Sequence, residues 1–234
     1  MQIGDTVASY YLLRDNIKTS WLVQDIRNGD LGLLKPADHF IDAQIPIWLS
    51  KIRHPGLPRC LAQNINLENT LYNLFEYLPG RSLDLLAKEH HGILAPDILL
   101  PAMTVYAGIL GFLHRQNDWI VLHLDLKPCN LILHEQGAAG IIDFGAAMLI
   151  NDRQKDFSPD IPDTAADPLR SGYKAADLLL ARNECSLNMR ALTPDYAAPE
   201  LLAGRPCEGS DIFALGLTML VLLTGFSPAE CRSR

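Results

Sequence analysis

His123–Leu–Asp–Leu–Lys–Pro–Cys–Asn130, followed by Ile141–Ile–Asp–Phe–Gly145, is the stretch that decides this fold. One short loop carries Asp125, Lys127 and Asn130. Asp143 arrives on the next strand-like run, after a turn at 135–140. Carboxylate and amide oxygens suit a hard cation such as Mg2+. A carboxylate can accept a hydroxyl proton, and a lysine can face phosphate oxygens. Together these are the groups that phosphoryl transfer needs. A polar loop between strands would hold the same residue types, so the reading rests on both runs occurring in order.

The two runs resemble the catalytic loop and metal-binding motif of eukaryotic-type protein kinases, His-Arg-Asp-x-x-x-x-Asn and then Asp-Phe-Gly. Leu124 stands where that family has arginine. The resemblance implies that Asp125 acts as the base or orients the attacking hydroxyl. It implies that Lys127 balances charge on the γ-phosphate, and that Asn130 and Asp143 hold Mg2+ against ATP. A lysine at position 127 resembles serine/threonine kinases rather than tyrosine kinases. His123 is expected to pack and hydrogen-bond structurally.

Composition is consistent with a packed domain. Of the 234 residues, 48% are hydrophobic and 20% charged, so wholesale disorder is excluded. A net charge of −7 without a dense basic stripe argues against a nucleic-acid partner. The five cysteines lack CxxC spacing and are read as buried thiols in a reducing compartment. Met1–Asp5 carries no basic, apolar leader, which predicts a cytoplasmic chain. The most membrane-like run, Ile212–Leu223, is shorter than the roughly 20 residues a span requires, so it is expected to be a buried helix and no membrane insertion is expected.

Upstream of the opening stretch, Tyr10–Leu13, Trp21–Asp25 and Leu31–Lys35 read as strands, with 14–20 as a loop. They resemble the opening of a kinase N-lobe, which implies that Lys35 contacts ATP phosphates. Two of the family's features are missing. The 14–20 loop has no glycine to let backbone amides approach phosphates, and no glutamate precedes Glu68 to pair with Lys35. Within the expected helix at 38–49, Gln44 is the nearest positional candidate and Asp42 the nearest carboxylate. Pro46 is expected to break or restart that helix. Ser50–Leu57 resembles the family's Leu-Arg-His-Pro-Asn-Ile turn. Leu71–Tyr77 reads as a strand entering the hinge, with Phe75 as gatekeeper and Glu76 to Leu78 facing adenine. Asp84 is either a ribose ligand or a first-turn helix acid.

Asp97–His114 has helical periodicity, with Ile98, Leu99, Met103, Val105, Ile109, Leu110 and Leu113 as mostly core positions. Residues 146–192 read as an activation segment with an insertion. Thr193–Glu200 resembles the segment's ending, which places Thr193 beside Asp125 and Lys127. Ser210–Gly216 resembles the start of the central C-lobe helix, with Asp211 capping the catalytic loop. The resemblance ends near Gly225, before the arginine that partners Glu200 in the family, so the C-lobe is read as truncated and a partner chain would cover it.

The fold class expected is α+β and bilobal, with residues 1–78 as a β-rich N-lobe and hinge and 79–234 as a helical C-lobe. Three functions compete. One is a serine/threonine protein kinase using ATP and Mg2+ on a protein substrate. The second is a pseudokinase scaffold. The third is a small-molecule phosphotransferase of aminoglycoside or choline kinase type, against which the endings at Thr193–Glu200 and Ser210–Gly216 argue.

Overall fold

The structure is a computed structural model and describes residues 1–8, 11–17, 20–116, 119–134, 137–151 and 193–233. Its first part is a six-stranded antiparallel sheet. In chain order the strands are β1 (Thr6–Val7), β2 (Tyr11–Ile17), β3 (Ser20–Asp25), β4 (Leu31–Pro36), β5 (Cys60–Leu67) and β6 (Thr70–Glu76), arranged β1-β2-β3-β4-β6-β5. Val7, Leu13, Val23, Leu34, Tyr72 and Leu74 point to one face and make its core, as side-chain alternation along strands requires.

The segment expected to be a loop at 14–20 is instead strand as far as Ile17, which pairs with Ser20 after a bulge between Leu13 and Asp15. Arg14, Asp15 and Asn16 are exposed, so they lack the apolar alternation that marks a strand, and backbone pairing with β3 holds them. β5 also went unread in the sequence. It joins β6 through Glu68 and Asn69, both with positive φ (48° and 65°). That is the backbone of a primed hairpin turn.

After β4 comes one 3-10 turn at Ala37–His39 and then α1 (Gln44–Lys51). The helix is thus restarted, as Pro46 suggests. Pro46 falls in the first turn, where an N–H would have no intrahelical acceptor. Ile45 and Leu49 of α1 enter the large core. The following turn approaches the rest of the chain closely. A Cβ at Gly56 would meet Ile109 Cδ1 at 2.5 Å and Ala139 O at 2.8 Å, and Gly56 O accepts from Ile141 N at 2.9 Å.

The second part is mainly helical. A short strand, β7 (Arg81–Ser82), leads into α2 (Leu83–Glu89), capped by Ser82 Oγ accepting from Leu85 N. Next come α3 (Pro96–Leu113), β8 (Trp119–Leu122), β9 (Leu131–Leu133), β10 (Ala139–Ile141), β11 (Met148–Asn151), α4 (Pro199–Leu202), α5 (Glu208–Thr224) and α6 (Pro228–Ser233). β9 pairs with β7 and β10, and β8 pairs with β11. Fully buried leucines of α3 such as Leu99, Leu110 and Leu113 contribute on the order of 2 kcal/mol each. α3 is long and apolar enough to cross a membrane by length and composition alone, yet these leucines and Tyr106 are core residues.

The α3 positions are mostly core as expected, with Ile98 and Val105 exposed. The expectation of a buried helix at Ile212–Leu223 is corrected: Ile212, Phe213 and Leu220 of α5 are exposed, so it is not buried all round. A helix has a core stripe only on the side where something packs. Of the described cysteines only Cys60 is buried, and Cys129 and Cys207 are exposed. Cys185 and most of the activation segment, 152–192, lie outside the described residues.

Candidate functional site

The site begins where β8 ends. His123 N and Leu124 N donate to the two oxygens of Asp211, at 2.9 and 2.8 Å, and His114 Nε2 meets the same carboxylate at 2.9 Å. Asp211 lies in the first turn of α5 and is wholly buried. It therefore braces the loop, whereas its own helix is capped by Cys207 and Ser210. Leu124 takes a left-handed backbone, φ 64°. That conformation costs a side-chain-bearing residue roughly 1–2 kcal/mol. The Leu124 side chain is buried among Ile120, Leu122, Ala146, Ala197, Ala198 and Leu201. Its burial and the two bonds to Asp211 offset the strain.

His123 joins the two motifs. Its Nε2 donates to Ile142 O at 3.0 Å, and its ring packs edge-on to Phe144 at 4.7 Å. Asn130 O accepts from Ile142 N at 3.0 Å. The loop and the Asp-Phe-Gly run are thus one packed unit.

Asp125 is buried at the centre of a hydrogen-bonded cluster. Its Oδ2 accepts from Lys127 Nζ at 2.7 Å and Asn130 Nδ2 at 3.1 Å, and its Oδ1 from Thr193 N at 3.2 Å. Lys127 Nζ also meets Thr193 Oγ1 at 2.6 Å. The three residues expected together are together, although Thr193 is far away in sequence.

Asp143 forms a second cluster. Lys35 Nζ and His39 Nε2 both reach its Oδ1, at 2.7 and 2.8 Å. Burial opposes ionisation of Asp143. The hydrogen bond from His39 and the charge of Lys35 outweigh it and hold the carboxyl well below the usual carboxylate range. His39 was not foreseen: a lone histidine after a strand lysine carries no sequence signal of its partner. Neither Gln44 nor Asp42 pairs with Lys35. Gln44 is exposed, and Asp42 accepts from Gln44 N and Leu149 N at 2.9 Å each.

Between these clusters and the sheet lies a cavity of about 580 Å3. Lys35, Glu76, Leu78, Lys127, Asn130 and Asp143 all line it, with Phe75 on its inner wall. The volume lies within the range of roughly 300–1,000 Å3 typical of small-ligand pockets. Glu76 N and Tyr77 N are engaged by Arg59 O and Leu31 O, at 2.8 and 3.2 Å, which fixes the hinge backbone. Asp84 does not line the cavity. It pairs with Lys88 one turn on, which favours the plain helix-acid reading. Glu200 accepts from Ser210 Oγ at 2.8 Å. Arg232 bonds instead to carbonyls of Pro194, Asp195 and Ala197, and so is not the partner of Glu200.

Among the described residues no group of three His, Cys, Asp or Glu side chains could enclose a metal. Asp143 and Asn130 offer one carboxylate and one amide oxygen, and Asp143 Oδ2 has no protein donor among the described residues. Such a sparse hard-oxygen set fits Mg2+, which keeps waters and takes phosphate oxygens rather than an all-protein cage.

Comparison with known sequences agrees with this geometry. Residues 47–234 match the profile of the family described as Protein kinase domain. Lys35 and His39 precede the matched region. The chain is 31% identical over 184 residues to Serine/threonine-protein kinase B of Synechocystis sp., covering 77% of this chain and 28% of that protein. It is 30% identical over 188 residues to a Putative L-type lectin-domain containing receptor kinase V.8 of Arabidopsis thaliana, covering 79% and 25%. It is 28% identical over 182 residues to CBL-interacting protein kinase 19 of Oryza sativa subsp. japonica, covering 77% and 29%. The chain spans about a quarter of the length of these curated relatives.

Proposed function

This chain belongs to the protein kinase domain family, and on that premise we propose that it transfers the γ-phosphoryl group of ATP to a serine or threonine hydroxyl of a protein. The observation that carries the reading is the Asp125–Lys127–Thr193 cluster beside a cavity lined by Lys35, Asn130 and Asp143. Similar proteins of Synechocystis and Nostoc are named serine/threonine-protein kinases, in keeping with Lys127.

In this reading residues 1–78 and 79–234 form two lobes with ATP between them. The hinge backbone at Glu76 and Leu78 meets adenine, and Lys35 faces the phosphates. Asp125 orients the incoming hydroxyl and takes its proton, held in place by Lys127, Asn130 and Thr193. Lys127 is then close enough to steady the γ-phosphate. Asn130 and Asp143 would hold Mg2+, which when bound neutralises phosphate charge.

The test is ATP binding with and without Mg2+, then phosphate incorporation into the protein itself and into serine, threonine and tyrosine peptides. Asp125→Asn should bind Mg2+·ATP and lose at least about 100-fold in turnover. Asp143→Ala should lose the metal-dependent part of binding. Binding without turnover in the wild-type protein would replace the kinase reading with that of a nucleotide-binding scaffold. No binding of any nucleotide would overturn both.

A further inference from the structure

We propose that His39 is a positioning residue that holds Asp143 in the orientation needed to bind a divalent cation. The inference rests on the kinase reading. Its basis is a clamp that the 37–42 segment forms on the Asp-Phe-Gly run. His39 Nε2 meets Asp143 Oδ1 at 2.8 Å, Ile41 N donates to Gly145 O at 2.9 Å, and Asp42 Oδ2 accepts from Leu149 N at 2.9 Å. These contacts join residues more than 100 positions apart in the chain. A ring nitrogen facing a carboxylate carries its hydrogen, so Nε2 is the donor.

Lys35 alone would be a loose anchor. Its side chain has four rotatable bonds and holds the carboxylate as a point charge. His39 has two rotatable bonds, and its ring is wedged over Gly145: a Cβ there would lie 2.5 Å from Nε2 and 3.0 Å from Cδ2. A side chain at position 145 would therefore collide with the His39 ring. Both donors use Oδ1, which leaves Oδ2 for a cation. Asp143 itself has a left-handed backbone, φ 66°, a conformation that the surrounding contacts must maintain.

The experiment measures affinity for ATP by calorimetry, once with Mg2+ and once with chelator, in the wild type and in His39→Ala, His39→Gln and Gly145→Ala. Outer groups that orient a metal ligand are typically worth about 10- to 100-fold in metal affinity. His39 also lines the cavity, so His39→Ala should weaken Mg2+·ATP binding by about 10-fold or more and metal-free ATP binding by clearly less. His39→Gln keeps an N–H donor and should recover most of the loss. Gly145→Ala should displace the ring and mimic His39→Ala, yet add nothing in the His39→Ala background, because the clash is gone. If His39→Ala does not fold, Gly145→Ala and His39→Gln carry the same comparison. Unchanged Mg2+·ATP affinity in His39→Ala, or equal losses with and without metal, would overturn the proposal and leave the kinase reading intact. A wild-type protein that binds no ATP in either condition would overturn the kinase reading and this inference with it.

Discussion

Asp211 offers the sharpest test of how the site is held. Its carboxylate is fully buried and accepts three hydrogen bonds, from His123 N, Leu124 N and His114 Nε2, all at 2.8–2.9 Å. Asp211→Ala would leave two buried backbone amides without an acceptor, at about 1–3 kcal/mol each. It would also let the left-handed backbone at Leu124 relax, which returns at most its strain of roughly 1–2 kcal/mol. The two amides together set an expected loss of about 2–6 kcal/mol, a large part of the 5–15 kcal/mol that domains usually have. Asp211→Asn keeps one acceptor oxygen but turns an NH2 towards one of the amides, so it should fall between wild type and alanine. Urea denaturation at constant pH, followed by two optical probes to confirm a single transition, measures both losses. A cost for Asp211→Ala below about 1 kcal/mol would show that these amides find other partners and that the loop is not braced by α5.

Three further outcomes are expected. Tyr106 is fully buried and donates to Ile132 O at 2.9 Å, so Tyr106→Phe should cost about 1–3 kcal/mol by denaturation, and no loss would contradict the bond. The lowered carboxyl of Asp143 stabilises the fold above its unfolded value near 4, and that stability is lost as pH falls through the folded value. The stability difference between wild type and Asp143→Asn should thus begin to shrink as pH falls below about 5 and go on shrinking below about pH 3, whereas parallel acid limbs would refute the assignment. Leu124 is buried among apolar residues and cannot pair with a phosphate. Replacing Ser158, Thr164, Ser171, Tyr173 and Ser186 together should leave kinase activity intact, and its abolition would count against this reading.

Legibility followed sequence distance. Asp125, Lys127 and Asn130 share one turn, so sequence order alone brings them near one another, and the structure joins Lys127 and Asn130 to the Asp125 carboxylate. α3 announced itself by its period and was found within a residue of its expected ends. Five of its seven apolar positions are core, and Ile98 and Val105 are exposed, because a period identifies an apolar face without saying what covers it. Arg14–Asn16 was misread because its strand state comes from pairing with β3 and not from burial.

The sequence by itself determined the family and located the two runs that resemble its catalytic and metal-binding motifs, because local order and residue type carry them. It also showed that a glycine-rich loop and a helix glutamate are missing. Only the tertiary structure decided what stands near Lys35 instead. Asp143 is 108 residues from Lys35 and 104 from His39. A hydrogen bond across such a separation leaves no spacing pattern in the chain. It exists only because the turn at 37–39, the close approach at Gly145 and the backbone contact from Ile41 bring the two segments together.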